Sequence, residues 1–463
     1  MKGQMKKTNG ITLIALVITI IVMLILAGVS ISLIAGENGI LKRATQAVDT
    51  HKQATVVEEA QMAFVDWQMD YITDGVAYEG RYAEIQSGAV VCAGGKMYAI
   101  DNTTSKIYEA SLPANGELGE FAESTLNKTS QIYKATHPEE QAILKGDSAT
   151  YEYVTGTWGT GYVIKDKSTN DEFVWIPVVS DSAYAKKSGS RNYHMSAQNV
   201  ADHGRDVVAL DVAGDDYGTN ALVTSEATER AAVNAAGGFY VSRYEIGIDN
   251  ATRDAKQTDA NWGTVKSQKG LEPARDISQT KSLEIANAWK TNGVQSGLIT
   301  GTQWDTMCKF IGWDKCDSDC TTWGNYINVK SKAYADGAMW HSGYQNAAAP
   351  AKNGLSNWYN TAVTKDNRDM LSAKDTTERV VFATGSFENE NGGTTVQKNI
   401  YDVAGNVWEW TTETITRDAT HRVIRGGSTY NDGWNDLATY RYGYDTASDT
   451  SWHVGFRAVL YVK

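Results

Sequence analysis

The chain has 463 residues, too many for one ordinary hydrophobic core, so it divides into two or more units. Its 43 basic and 55 acidic residues give a net charge of -12, which excludes a general nucleic-acid surface, because neutralising phosphates takes clustered Lys and Arg. Four cysteines, Cys92, Cys308, Cys316 and Cys320, are too few for a disulfide-dense scaffold and show no paired CxxC zinc spacing. Cys316 and Cys320 are spaced for a short bridge, or the thiols are simply tolerated.

A basic leader, "MKGQMKKTNG", precedes an uncharged run from Ile11 to Ala35. At about 1.5 Å per residue this run is long enough to span a bilayer. Lysines on its N-terminal flank keep that end cytoplasmic and send the bulk of the chain outside, as a single-pass protein of the cell surface. The apolar run is longer than a secretory signal core needs. The leader ending in Gly10, followed by "ITLIALVITIIVMLILAGVSI", resembles the prepilin-type signal of type IV pilins and pseudopilins. That resemblance implies cleavage after Gly10 and a methylated Ile11 as the first mature residue. The chain departs from the pilin pattern at Ile11, where Phe is commonest, and at Ala15, where assembling pilins carry Glu. A membrane anchor and a minor pilin component both stay open.

Residues 36–74 follow as a helical stalk, with Leu41, Ala44, Val48, Ala60, Phe64, Trp67 and Tyr71 recurring at three- and four-residue spacing. Over 75–148, "GAVVCAGGKMYAI" and "SKIYEASL" predict strands with Gly and Asn turns, either a small pilin-like sheet or a spacer. From 149 to 463 short apolar runs broken by turn residues predict an α+β domain. "GYVIKDKSTNDEFVWIPV" reads as a hairpin and "GGFYVSRYEIG" as a strand. Thr300 and Gln303 form a capping-box pattern opening a helix at "TGTQWDTMCKFIG".

"EFVWIPV", "GGFYVSRYEIG", "LITGTQWD", "YDVAGNVWEW" and "RVIRGGS…GFRAVL", in that order, resemble the formylglycine-generating enzyme and sulfatase-modifying-factor family. The resemblance implies a C-type lectin-like fold over about two-thirds of the chain. It also implies a structural Ca²⁺ held by the side chains of Asp402 and Glu409 and the carbonyls of Gly405 and Val407, a donor set of the oxygens that a hard cation takes. Arg425, Arg457, Trp408 and Trp410 are read as builders of the fold.

Formylglycine-generating members use two cysteines shortly after "GGS" to bind copper, and no Cys lies between Thr429 and Lys463. An amide or carboxylate cannot replace a thiolate in soft-metal redox chemistry, so an oxidoreductase is the alternative reading and no catalytic residue is assigned. Between Thr429 and Trp452 stand four Tyr, two Trp, two Asn and four Asp, with no Lys, Glu, Pro or Cys. This is the composition of antibody-like paratopes, where rigid aromatics supply contact area. The segment also resembles the variable regions of proteins diversified by retroelements. The expected contact residues for a protein or glycan ligand are Tyr430, Asn431, Asp432, Trp434, Asn435, Asp436, Tyr440, Tyr442, Tyr444 and Asp445, with Trp434 and Trp452 also weighed as fixed anchors.

Overall fold

In a computed structural model, the structure describes residues 18–24, 26–27, 40–112, 117–185, 192–193, 212–215, 225–248, 264–289, 293–326, 329, 339–341, 380–389, 391–415, 420–451 and 453–462. Gly10, Ile11 and most of the 11–35 run lie outside them; 18–24 and 26–27 are helical. Among the described residues no helix is long and apolar enough to cross a membrane.

The first long helix, α1 (Ile40–Asp74), lies on a five-stranded antiparallel meander: β1 (Tyr82–Ile85), β2 (Gly88–Ala93), β3 (Lys96–Asp101), β4 (Ile107–Ser111) and β5 (Ala122–Glu123). The strands expected in this region are present, and β2 shows why they form. Every residue of "GAVVCA" is buried, as a strand covered on both faces requires. Val90 and Cys92 meet Val56, Ala60 and Phe64 of α1. Ala89, Val91 and Ala93 turn the other way, into a cluster with Trp175, Tyr240 and Leu460. Each of the two valines contributes about 1.5–3 kcal/mol when fully buried, so the meander is sealed between α1 and the rest of the chain. Val48, further up the helical stripe, stays exposed.

Downstream come the helices α2 (Gln131–Thr136), α3 (Glu226–Ala236), α4 (Gln279–Ala288), α5 (Gly301–Ile311) and α6 (Trp313–Cys316). The strands of two six-stranded sheets are β6 (Tyr151–Thr155), β7 (Val163–Asp166), β8 (Glu172–Pro177), β9 (Asn192–Tyr193), β10 (Val212–Asp215), β11 (Gly238–Ser242), β12 (Val294–Leu298), β13 (Trp408–Ile415), β14 (His421–Arg425), β15 (Arg441–Thr446), β16 (Val454–Phe456) and β17 (Ala458–Val462). One sheet runs β12-β17-β11-β8-β7-β6; the other runs β10-β13-β14-β15-β9, with β16 pairing β13 in parallel. β7 and β8 are the expected hairpin. The Thr300 hydroxyl accepts from Gln303 N at 3.2 Å, and Gln303 Oε1 accepts from Thr300 N at 3.0 Å, which closes the capping box that opens α5.

The chain passes from the second sheet to the first between β16 and β17, and the residue at that crossing is Arg457. Its fully buried guanidinium donates to Glu409 Oε2 and Oε1 at 2.9 and 2.7 Å, and to the carbonyls of Ser242 and Tyr401 at 2.9 and 2.8 Å. Five fixed donors fit this junction better than an ammonium would, so the "GFR" motif is a clamp between sheets.

Candidate functional site

The segment after "RGGS" rests on the sheet β13-β14-β15, and its local geometry begins with two glycines. Gly426 and Gly427 have φ of +90° and +76°, a left-handed region that side chains disfavour. A Cβ on Gly427 would come within 2.6 Å of the Asp436 carbonyl. The tight turn lets the Tyr326 hydroxyl sit between the carbonyls of Gly426 and Asp436, at 3.0 and 2.9 Å, closing the neck of the loop. Inside it, Asn431 Oδ1 accepts from Trp408 Nε1 at 2.9 Å and from Ser428 Oγ at 2.7 Å. Trp304 Nε1 donates to the Ala438 carbonyl at 2.9 Å.

Alternation along β15 divides its side chains between two faces. Arg441 points inward. It meets Asp305 of α5 and donates to Glu413 of β13 at 3.0 Å, while Arg425 of β14 pairs with the same two acids, at 3.1 Å to Glu413. Two cations and two anions thus form a neutral, buried ring joining three strands and a helix. Burial alone would lower the Arg441 pKa, but Glu413 and Asp305 outweigh it and raise it.

Tyr442 and Tyr444 point the other way and begin an aromatic ribbon. Trp408 stacks with Tyr442 at 5.6 Å, Tyr442 meets Tyr444 at 5.7 Å, Tyr444 meets His453 edge-on at 6.2 Å, and His453 stacks on Tyr430 at 5.6 Å. Tyr430 is 37% exposed and Trp434 54%; Asp432, Asn435, Tyr442 and Tyr444 are half-buried. These six residues keep part of their surface open to solvent. His453 was not among the expected contact residues, because a lone histidine carries no paratope signal; its place between two tyrosines is a product of the fold.

Three expected contact residues are corrected. Asn431, Asp436 and Tyr440 are buried. Asn431 spends its carbonyl on Trp408 and Ser428, and Tyr440 packs against Trp408, so both hold the loop together from inside. The side chain of Asp445 and all of Trp452 lie outside the described residues.

The residues expected to hold calcium have protein partners of their own. Both oxygens of Glu409 face Arg457. The oxygens of Asp402 accept from Gly385 N at 2.6 Å and Thr395 Oγ1 at 2.7 Å. Gly405, at φ +77°, approaches Asn325, and the Val407 amide donates to Glu245 Oε1 at 3.1 Å. The oxygens of both carboxylates thus accept from protein donors. Among the described residues no group of three or more His, Cys, Asp or Glu is placed to hold a metal.

Sequence reasoning missed Glu245, which accepts from Asn406 Nδ2 at 2.6 Å and from the Val407 amide at 3.1 Å, and which feels the charges of Asp402 and Glu409. Burial, then the charges of those two acids, pushes its carboxyl well above the ordinary 4.5. Burial likewise raises Glu409 against the opposing pull of Arg457, and raises Asp402. A carboxyl raised in the folded state contributes stability that is fully present below its unfolded value and is lost as pH rises through its folded value. Stability is therefore expected to fall with rising pH above about 4.5, and Glu245→Gln should flatten that fall. Unfolding midpoints of both proteins at about pH 5 and about pH 8 check it; equal slopes would contradict a raised Glu245 carboxyl.

The class so defined is a mixed α+β chain with a five-stranded meander, two six-stranded sheets and a pinned, aromatic-rich C-terminal segment. Residues 323–462 match the family model described as the sulfatase-modifying factor enzyme 1-like domain. Similar solved structures include Treponema denticola variable protein 1, at 12% identity and TM-score 0.28, covering 63% of this chain and 95% of that one. A second is CarF, at 14% identity and TM-score 0.28, covering 49% of this chain and 87% of that one. At those scores neither likeness bears on function. A search of curated proteins finds no match.

Proposed function

We propose that this chain is a surface-anchored recognition protein whose outward residues in 430–444 bind a protein ligand, on a domain of C-type lectin-like fold. The observation that carries the reading is the aromatic ribbon of Tyr442, Tyr444, His453 and Tyr430, in a segment that also exposes Trp434, with the buried ring of Arg425, Arg441, Asp305 and Glu413 on the opposite face of β15. Rigid aromatics on a fixed platform give contact area at low entropic cost, the arrangement that binding hot spots favour. Anchoring rests on the apolar 11–35 run behind its basic leader.

Diversification by a retroelement is part of this reading and has its own test in the neighbouring DNA. A near-identical copy of the coding for the last segment, differing chiefly at adenines and adjacent to a reverse transcriptase, is expected. Its differences should fall on Tyr430, Asp432, Asn435, Tyr442 and Tyr444 and spare Asn431, Asp436 and Tyr440. A neighbourhood without such a copy removes diversification and leaves a fixed binding head.

A further inference from the structure

A cleft of about 430 Å³ lies between α1, β1, the end of β8 and the last turns of α5, within the range of about 300–1,000 Å³ that small-molecule sites occupy. Tyr82, Val178, Val179 and Phe310 line it, and the last three are buried, so its floor is apolar. Its charged lining is unbalanced. Among the described residues, Arg81, Lys309 and Lys398 face the cleft against Asp70 alone, in a chain whose net charge is -12. Arg81 pairs with Asp70 at 3.0 Å, and Lys309 Nζ donates to the Ala185 carbonyl at 2.7 Å. Lys398 is exposed and its ammonium carries three donors. One goes to the Gly159 carbonyl at 2.6 Å, and Nζ stands 5.5 Å from the centre of the Phe310 ring. Glu84 is near enough for Lys398 to feel its charge, but it accepts from Thr157 Oγ1 at 2.7 Å.

The backbone that delivers Lys398 is a second, independent observation. Lys398 and Asn399 have φ of +49° and +65°, and Gln397 and Ile400 exchange both backbone hydrogen bonds across them at 2.8 Å. Hairpin turns with two such residues favour Asn, Asp and Gly, not Lys. The turn is fixed from outside: Asn399 Nδ2 donates to the Gly161 carbonyl at 2.8 Å, and Arg243 Nε donates to the Asn399 carbonyl at 3.1 Å. A rigid turn thus holds a lysine over the aromatic wall of the cleft against its local preference, the kind of broken rule that marks function. We propose that this cleft binds a small organic anion with an apolar body, of the arylcarboxylate class, its carboxylate at Lys398 and its ring against Phe310 and Tyr82. The apolar floor calls for the body and the surplus of cations for the charge. The site is separate from the aromatic ribbon and stands or falls without it.

The test is equilibrium dialysis of the full chain, held in nanodiscs of neutral lipid, against naphthoate and against naphthamide, which has the same shape without the charge; empty nanodiscs give the background. Naphthoate should saturate at one equivalent per chain, and naphthamide should bind at least about tenfold more weakly, the loss that removing a charge-assisted hydrogen bond brings. Lys398→Arg should keep that preference. Lys398→Asn should abolish it while the unfolding midpoint stays level or rises, because asparagine suits a positive φ. Absent or unsaturable binding of naphthoate, equal binding of the two compounds, or a preference that survives in Lys398→Asn overturns the proposal. So does a lower midpoint for Lys398→Asn, which would show that the lysine serves the fold. Because the two compounds are compared on the unsubstituted chain, a variant that fails to fold does not protect the proposal.

Discussion

Replacing Arg441 with alanine is expected to cost about 3–5 kcal/mol of folding stability, the usual loss when one partner of a buried ion pair is removed. The ring explains the size. Without Arg441, Asp305 and Glu413 keep only Arg425, and one negative charge stays buried beneath the sheet with no counter-charge. The substitution also frees β15, because Arg441 is the residue that fastens that strand to α5 and β13. Arg441→Lys should recover only part of the loss, since an ammonium cannot address two carboxylates in the forked manner of a guanidinium. Denaturant unfolding followed by tryptophan fluorescence checks this. A loss below about 1 kcal/mol, the range of exposed ion pairs, would show that the ring is not the platform described.

The second large effect separates binding from folding. Tyr430→Ser combined with Trp434→Ser changes two outward side chains and should leave the unfolding midpoint nearly unchanged. Affinity for the ligand should fall by at least about tenfold, as truncation of aromatic hot spots does. Asn431→Ala, one position away, should behave in the opposite sense. It leaves the buried Trp408 indole N–H without its acceptor, at a cost of about 1–3 kcal/mol, and reaches the ligand only through the fold. Equal effects of the two changes on stability would contradict the division between outward and inward positions.

Much of this architecture is legible in sequence wherever the cause is local. The β7 and β8 hairpin follows from two β-prone runs around a polar turn, and the α5 start from Thr300 and Gln303, because hydrogen bonds across a few residues set them. The paired glycines of "RGGS" announce their turn for the same reason. The ring does not, since Arg425 and Arg441 lie 120 and 136 residues from Asp305, and no spacing rule joins them. Arg457 stands 48 residues from Glu409, so a carboxylate that reads as a cation ligand in its own motif turns out to be half of an ion pair. Asn431 misleads in a similar way: asparagine is usually exposed, and only the arrival of Trp408, 23 residues away, makes its amide an interior acceptor.

Binding of the full chain to immobilised proteins and glycans, measured beside the Tyr430→Ser, Trp434→Ser double variant, tests the central claim most directly. The predicted result is a specific protein signal that falls by at least about tenfold in the variant while folding is kept. A signal that persists unchanged in the double variant would contradict the account and move the binding surface away from the ribbon.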